Sequence, residues 1–157
     1  MTRLYRTASF IHWFSWVCTF ELCSMLIGQL SMPGPWYAQL YKSTITPAPW
    51  IFPLAWTLLY AFLATIGWEL WQFKQSNRIK MLFCIQMILN FLWSFIFFKL
   101  HWILISLLSI FCMLFLTVIL LIHGFKHQMI THYLLVPYAV WLCFAGYLTS
   151  IIWLYNT

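Results

Sequence analysis

Five long apolar runs limit the folds that this chain can adopt. They cover residues 10–30, 50–71, 79–100, 102–123 and 132–155. Each has roughly 21 to 24 residues, and at about 1.5 Å rise per residue an α-helix of that length crosses a hydrocarbon layer of about 30 Å. A helix also satisfies its own backbone hydrogen bonds in lipid. We therefore predict an all-α membrane protein, a bundle of five transmembrane helices that forms a single domain from residue 1 to residue 157.

The composition supports a membrane protein, because 64% of the residues are hydrophobic and only 6% are charged. In soluble domains roughly a quarter of all residues are charged. The net charge of +6 comes from cations scattered between the apolar runs, and no cluster or stripe follows the spacing of a phosphate backbone. We therefore expect no nucleic acid partner. The first run lacks a small-residue cleavage site, so we expect it to remain as a helix.

The first connection, residues 31–49, is longer than the other three. It holds four prolines and a glycine together with the string WYAQLY, which predicts a short amphipathic turn of helix lying on the membrane surface. Long connections in compact bundles are often functional lids. We interpret residues 31–49 as a lid loop, whereas the short connections predict antiparallel neighbours.

Positive side chains are distributed unequally over the two sides of the predicted bundle. One side holds Arg3, Arg6, Lys74, Arg78, Lys80 and Lys126, and the other holds Lys42 and Lys99. Loops rich in Lys and Arg stay in the cytoplasm. For insertion into an inner membrane, this predicts a multi-pass protein with a cytoplasmic N-terminus and an external lid loop.

Three predicted helices carry stripes that mix aromatic and hydrogen-bonding side chains. At helical spacing these are Phe52, Trp56 and Tyr60; Gln86, Asn90, Trp93 and Phe97; and Tyr138, Trp141, Ala145 and Thr149. Such stripes suit a pocket for a flat, apolar ligand. The spacing leaves a second interpretation open, in which Gln86 and Asn90 only tie helices together through hydrogen bonds of about 0.6 to 2 kcal/mol each.

The other polar residues give few indications of chemistry. Glu21 lies near the middle of the first run. Two interpretations stay open for it, a functional acid or a neutral carboxyl group that is hydrogen-bonded to another helix. His123 and His127 have the spacing of two metal ligands, but no Cys or carboxylate is near them, so interfacial placement is favoured. We predict no metal and no cofactor. Hydrolase, zinc-protease and nucleotide-binding motifs are absent from the sequence, so conventional acid–base catalysis is unsupported and enzymatic activity stays open.

Four ordered strings resemble motifs of the TspO/translocator-protein family, the tryptophan-rich sensory proteins and peripheral benzodiazepine receptors. The lid loop has GPWYAQLYK, similar to WYxxLxKP, and the second run opens with PAPWIFPLAWTLLY, similar to PPxWxFxxVWTxLY. The third run has QMILNFLWSFIFF, similar to QLxLNxxWSxxFF, and the fifth has LLVPYAVWLCFAGYL, similar to LLxPYLxWxxFAxxL. Together the four strings extend over most of the chain.

The resemblance implies a five-helix bundle, often a homodimer, with a ligand cavity that the lid loop closes. The ligands it implies are porphyrins such as protoporphyrin IX, isoquinoline carboxamides, benzodiazepines and, in some members, sterols. Residue by residue, the motifs assign ligand contacts to Trp36, Tyr37, Phe52, Trp56, Asn90, Trp93, Trp141, Phe144 and Ala145. The helical stripes add Tyr60, Gln86 and Phe97 to this predicted site.

The sequence also departs from the family pattern. Ser43 and Ala48 stand where the family has prolines, which predicts a more mobile lid loop. Ser106 replaces a common Asp, and Thr149 replaces a frequent Asn. Nothing basic follows Tyr155, so the sterol-recognition pattern fails.

Three functions follow from these observations. The first is a receptor or transporter that binds porphyrins, with Lys42 near the propionate groups. The second is a porphyrin-degrading enzyme that uses light and oxygen, with Trp56 and Trp141 as electron donors. The third is a structural modulator of a membrane partner, to which exposed aromatic ridges would bind.

Overall fold

The computed structural model describes residues 2–73, 75–127 and 129–157, and within them the side chains from residue 9 onward except that of residue 130. All regular structure in these ranges is helical. The elements are α1 (Thr2–Leu30), α2 (Pro35–Gln39), α3 (Ile51–Gln72), α4 (Asn77–Phe98), α5 (Ile103–Lys126), a 3₁₀ turn (Ile130–Leu134) and α6 (Leu135–Asn156). Five helices are long and apolar enough to cross a membrane, which confirms the predicted all-α bundle.

Two of the five helices are longer than their apolar runs. The first helix begins at Thr2 instead of residue 10, and α5 continues to Lys126 instead of ending at residue 123. The end of an apolar run marks where the lipid layer ends, and a helix continues until a breaker or a cap stops it. His123 and Lys126 occupy the last turn of α5, where positive charge is favourable beside unpaired carbonyls.

The helices form a closed ring in the order α1, α3, α6, α5 and α4. Contacts are extensive between α1 and α3, between α4 and α5, and between α5 and α6, whereas α3 and α6 touch each other much less. In the span Ser9–Leu30 no residue is fully buried. Helix α1 therefore closes one side of the ring, and the core lies between α3, α4, α5 and α6.

Helix α1 approaches α3 closely at a glycine. A Cβ atom at position 67 would lie 2.7 Å from the Trp16 ring and 3.0 Å from the Phe83 ring. Glycine leaves this space to the two aromatic rings, as small residues do where membrane helices pack tightly. The outer faces of the helices are apolar as well, with Leu22, Leu58 and Phe115 exposed, and such faces suit contact with lipid.

The first connection contains the short helix that the string WYAQLY predicts. Helix α2 begins after Gly34 with Pro35 at its first position, where proline loses no helical hydrogen bond. The backbone N–H of Ala38 donates to the Gly34 carbonyl over 3.3 Å. The lid loop joins α1 to α3, so it covers one end of the ring, and the connections after α3 and α5 lie at the opposite end.

Candidate ligand site and buried polar network

A hydrogen-bond network centred on the Tyr138 phenol crosses the middle of the ring. Gln86 Nε2 donates to the Tyr138 oxygen over 2.7 Å, and Asn90 Nδ2 donates to the same oxygen over 2.9 Å. The Tyr60 hydroxyl donates to Asn90 Oδ1 over 2.5 Å, and Gln86 Nε2 also reaches Thr117 Oγ1 at 3.2 Å. These five side chains, the Tyr138 network, join α3, α4, α5 and α6.

The Tyr138 network explains why two amides are stable at this depth. Gln86 and Tyr138 are completely buried, and Asn90 is 3% exposed. Buried polar groups cost about 1 to 3 kcal/mol each when unpaired. Both amide nitrogens have interhelical partners, and so does Asn90 Oδ1, whereas Gln86 Oε1 has none among the described residues. The structure therefore shows the helix-tying contacts of Gln86 and Asn90, while their contact with a ligand stays a prediction.

Aromatic side chains fill the loosely packed gap between α3 and α6 at the lid-loop end. The Trp141 ring lies edge-on to Phe52 at 6.0 Å and to Trp56 at 6.3 Å, and it is 5.9 Å from Phe144. Trp56 in turn lies 5.5 Å from Tyr60. We call these five residues the α3–α6 aromatic cluster. Its rings, apart from Tyr60, are only half-buried, so they present flat apolar surface.

The Trp141 indole N–H is a buried polar group of this cluster that lacks a partner among the described residues. Its Nε1 atom is buried and has no hydrogen-bond partner among the described residues. By contrast, Trp93 Nε1 donates to the Ser106 carbonyl over 3.1 Å, and Trp13 Nε1 donates to Thr65 Oγ1 over 3.0 Å. A buried indole N–H usually has a partner, so Trp141 can donate to an acceptor that enters the cluster.

A second group of aromatic rings lies under the lid loop. Trp36 and Tyr37 of α2 pack edge-on against Phe97, with ring centroids 5.7 and 6.0 Å apart. Trp93 stacks on the other side of Phe97 at 5.3 Å, and Trp36 stacks on His101 at 3.9 Å. Burial in this group raises the pKa of the Tyr37 phenol above its ordinary value. We call Trp36, Tyr37, Trp93 and Phe97 the loop cluster.

Helix α6 holds the lid loop through side chains near its end. The backbone N–H of Tyr41 donates to Asn156 Oδ1 over 2.8 Å, and Asn156 Nδ2 donates to the Tyr41 carbonyl over 3.1 Å. Ser43 Oγ lies 3.0 Å from the Tyr147 hydroxyl. The serine that replaces the family's proline thus contacts α6, and the predicted mobility of the loop stays a prediction.

Lys42 closes the end of α2 instead of pointing freely outward. Its Nζ atom donates to the carbonyls of Ala38 and Leu40 over 3.1 and 2.9 Å, and it lies 4.8 Å above the Tyr37 ring. An ammonium group has three N–H donors. One donor of Lys42 is therefore left for an anionic group above the loop.

The structure divides the predicted site residues among several groups. The α3–α6 aromatic cluster contains Phe52, Trp56, Tyr60, Trp141 and Phe144, and the loop cluster contains Trp36, Tyr37, Trp93 and Phe97. The Tyr138 network contains Gln86 and Asn90, and Ala145 packs on the main core. Trp93 packs against both the main core and the core beneath the loop.

Sequence reasoning missed several buried polar residues, among them Thr117 and Glu69. Thr117 joins the Tyr138 network and also donates to the Met113 carbonyl over 2.7 Å, but an isolated Thr in an apolar run gives no signal. Glu69 is buried, with Oε2 unpaired in the part of the chain that the structure describes. Because the sequence has only two acidic residues, its rarity could have marked Glu69 as a candidate. Glu21, the other acid, is half-buried with Oε1 likewise unpaired.

Two further expectations concern replaced or paired polar residues. Ser106, in the place of the family's Asp, is fully buried, and its hydroxyl donates to the Ile103 carbonyl over 2.7 Å. His123 and His127 lie with their rings 4.2 Å apart, and His123 Nε2 is 3.2 Å from Gln75 Oε1. The side chains of Arg3 and Arg6, and Lys74 as a whole, lie outside the described residues.

Comparisons with known proteins agree with the motifs. The profile of the TspO/MBR family matches residues 14–154. The Tryptophan-rich protein TspO of Archaeoglobus fulgidus is 40% identical over 123 residues, which cover 77% of this chain and 80% of that protein. The protein of the same name from Chlorobaculum tepidum is 32% identical over 121 residues, covering 74% of this chain and 77% of that protein.

A third relative extends the match over more of the chain. Protein CrtK of Rhodobacter capsulatus is 28% identical over 141 residues, 85% of this chain and 86% of that protein. The residues that match the family profile reach from α1 to α6 and include the lid loop between α1 and α3. The chain therefore belongs to the TspO/MBR family of integral membrane proteins.

Proposed function

We propose that the chain is a membrane receptor or transporter for porphyrins, bound against the α3–α6 aromatic cluster beneath the lid loop. Porphyrins are the ligands that the family motifs imply, and isoquinoline carboxamides are flat apolar ligands of the same kind. The single observation that carries the proposal is the Trp141 N–H, which is buried without a partner among the described residues, inside a group of half-buried rings.

The geometry of the cluster supports a flat ligand. The ring planes of Phe52 and Trp56 make angles of 73° and 83° with the ring plane of Trp141. The α3 rings and the α6 ring therefore offer two flat surfaces that are nearly perpendicular to each other. Flat aromatic ligands bind such surfaces through stacking and edge contacts, each worth about 0.5 to 1.5 kcal/mol beyond the area buried. Because α3 and α6 touch each other little, a macrocycle can enter between them without separating two tightly packed helices.

The polar groups of a porphyrin also have partners near the cluster. A pyrrole nitrogen or a propionate oxygen of the ligand can accept from Trp141 Nε1. The propionates would extend toward the membrane surface, where the third N–H of Lys42 is available on the lid loop. Hydrogen bonds to charged groups contribute about 1.5 to 3 kcal/mol.

The first test is a dark titration of the purified, detergent-solubilised protein with protoporphyrin IX, followed by tryptophan quenching and by porphyrin absorbance. Trp141→Phe keeps an aromatic ring and removes the N–H, so Kd should rise about 5- to 30-fold, because a hydrogen bond of about 1 to 2 kcal/mol is lost. In Trp56→Ala, saturable binding should disappear. Trp102→Phe, which changes an exposed ring outside the cluster, is the control and should bind normally.

Two results would contradict the proposal. If Trp141→Phe and Trp56→Ala bind protoporphyrin IX as the unmodified protein does, the ligand does not use this cluster. If the unmodified protein shows no saturable binding, the third function, modulation of a membrane partner, becomes the better explanation.

The role of Lys42 needs a ligand control, because Lys42 also closes α2. Lys42→Met should weaken protoporphyrin IX binding but leave the binding of etioporphyrin, which lacks propionates, unchanged. Equal weakening of both ligands would mean that Lys42 acts only through the shape of the loop.

A second function, light- and oxygen-dependent porphyrin degradation, is favoured by one observation. Trp56 and Trp141 lie in edge contact at 6.3 Å, close enough to pass an electron to an excited porphyrin bound against them. The excited porphyrin would pass that electron to oxygen and form superoxide, and it would then return an electron to the tryptophan cation. The resulting porphyrin cation would combine with superoxide, so the porphyrin is both chromophore and substrate and oxygen is the net oxidant. Illumination of the complex in air should then give new absorption bands, and the double variant Trp56→Phe with Trp141→Phe should give none. Undiminished product from that variant would exclude this role for the two tryptophans.

We also propose that the lid loop faces the outside of an inner membrane. Arg78, Lys80 and Lys126 lie at the end of the ring opposite the loop, and loops rich in cations stay in the cytoplasm. In right-side-out vesicles, Ser43→Cys should react with a membrane-impermeant maleimide. Labelling only after the vesicles are opened would reverse the assignment.

A further inference from the structure

A small, partly open space lies at the end of the ring opposite the lid loop. It is bounded by α3, α5, the 3₁₀ turn that precedes α6, Ile79 of α4 and Leu135 of α6, and its volume is about 10 Å³. Aliphatic side chains form most of its wall, and three polar residues, His123, Thr131 and His132, also line it. The space is separate from both aromatic clusters.

His132 is the most unusual residue of this space. It is 4% exposed, and neither ring nitrogen has a hydrogen-bond partner in the described part of the chain. The Thr131 hydroxyl oxygen beside it is also buried and without a described partner. A neutral imidazole has one donor and one acceptor, and each buried group left unpaired costs about 1 to 3 kcal/mol.

The surroundings of His132 prevent its ring from turning to another partner. Any Cβ at position 124 would collide with His132 Cβ and Cγ, so a glycine is required where α5 passes the imidazole. Phe125 packs edge-on to the ring at 4.4 Å, and Tyr133 lies at 4.4 Å on another side. The imidazole is therefore held beside the space that it lines.

The size of the space limits what can occupy it. A single water molecule needs on the order of 10 to 15 Å³ and two to four polar partners, and this space offers three polar residues. A metal ion is not supported, because the described residues contain no group of three His, Cys, Asp or Glu that could hold one.

We propose that this space is a binding site for one ordered water molecule, held by the His132 ring and Thr131 Oγ1 and facing His123. The water supplies one hydrogen bond to an imidazole nitrogen of His132 and one to the Thr131 hydroxyl. Because His123 also lines the space, the site lies where the 3₁₀ turn at the start of the last membrane span meets the end of α5. The site is independent of the porphyrin proposal.

The test is solid-state NMR of the full chain in lipid bilayers, with ¹⁵N-labelled histidine. Magnetisation that starts on water protons should reach a His132 ring nitrogen, as it reaches the exposed His101. The His132 signals are assigned by substituting the other histidines one at a time with Gln, so His132 itself stays unchanged. Transfer to His101 with none to His132 would overturn the proposal.

A substitution identifies the second partner of the water. Thr131→Val keeps the shape of the side chain and removes its hydroxyl, so transfer to His132 should fall by roughly half, because one of two direct partners is lost. Thr149→Val makes the same change within α6, away from the space, and should leave the transfer unchanged. Equal transfer in Thr131→Val and the unmodified chain would overturn the assignment of Thr131 as a partner of the water.

Discussion

The Tyr138 network leads to a quantitative prediction for Tyr138→Phe. The phenylalanine ring fills nearly the same volume, so the change is the loss of the hydroxyl. Its oxygen accepts from Gln86 Nε2 at 2.7 Å and from Asn90 Nδ2 at 2.9 Å, and its O–H donates weakly to Met113 Sδ at 3.8 Å. Gln86 keeps its contact with Thr117, whereas Asn90 Nδ2 has no other described partner. At about 0.6 to 2 kcal/mol for each interhelical bond, the free energy of unfolding should fall by about 1 to 4 kcal/mol.

The assay for Tyr138→Phe is reversible unfolding in mixed micelles of dodecyl maltoside and sodium dodecyl sulfate, followed by circular dichroism. Tyr147→Phe is the matched control on the same helix, because its exposed hydroxyl makes a single contact with Ser43. It should change the free energy of unfolding by less than about 0.5 kcal/mol. Surface substitutions usually change the free energy of unfolding by less than about 0.5 kcal/mol. If the values for the two variants differ by no more than that, the network does not stabilise the bundle.

Two further predictions concern the ends of the ring. Gly124→Ala should lower the free energy of unfolding by about 1 to 3 kcal/mol, because the new methyl group meets the His132 ring; the same micelle assay measures it. Asn156→Ala should raise the hydrogen-exchange rate of the Tyr41 amide roughly tenfold, because both hydrogen bonds to the Tyr41 backbone disappear; mass spectrometry of peptides from residues 31–49 measures it.

Matched controls exist for both variants. Gly28→Ala places a methyl group where nothing lies within 4 Å, so it should leave stability unchanged or raise it, since alanine favours a helix. If it destabilises as much as Gly124→Ala, the His132 contact is not the cause. Thr157→Ala removes a hydroxyl whose one partner among the described residues is the Trp153 carbonyl of α6, and it should leave exchange in the loop unchanged. Unaltered exchange in Asn156→Ala would mean that the ring contacts and the Ser43–Tyr147 hydrogen bond hold the loop without Asn156.

The five membrane-crossing helices could be predicted because run length and hydropathy depend only on local sequence. Their ends were harder to predict. Residues 2–9 contain Arg3, Arg6 and several polar residues, so the apolar run stops before them, yet the helix continues because no proline or glycine breaks it. The length of an apolar run depends on the thickness of the lipid layer, whereas the end of a helix depends on where its backbone hydrogen bonds stop.

The contacts between helices could not be predicted from spacing. The positions of Gln86 and Asn90 on one helical face followed from the sequence, but their partner Tyr138 lies 48 or more residues away. Spacing along a helix gives the direction of a side chain and does not show which helix it meets or how deeply it is buried. For the same reason, the aromatic residues predicted as one pocket form two clusters.

The contact between Asn156 and the Tyr41 backbone has a consequence for the order in which the protein is made. The lid loop leaves the ribosome early, after the first helix, but the side chain that anchors it belongs to the last turn of α6. During synthesis Trp36 and Tyr37 can pack on Phe97 as soon as α4 has been inserted. The backbone of Tyr41, however, gains its two hydrogen bonds to Asn156 only after the fifth span has been inserted.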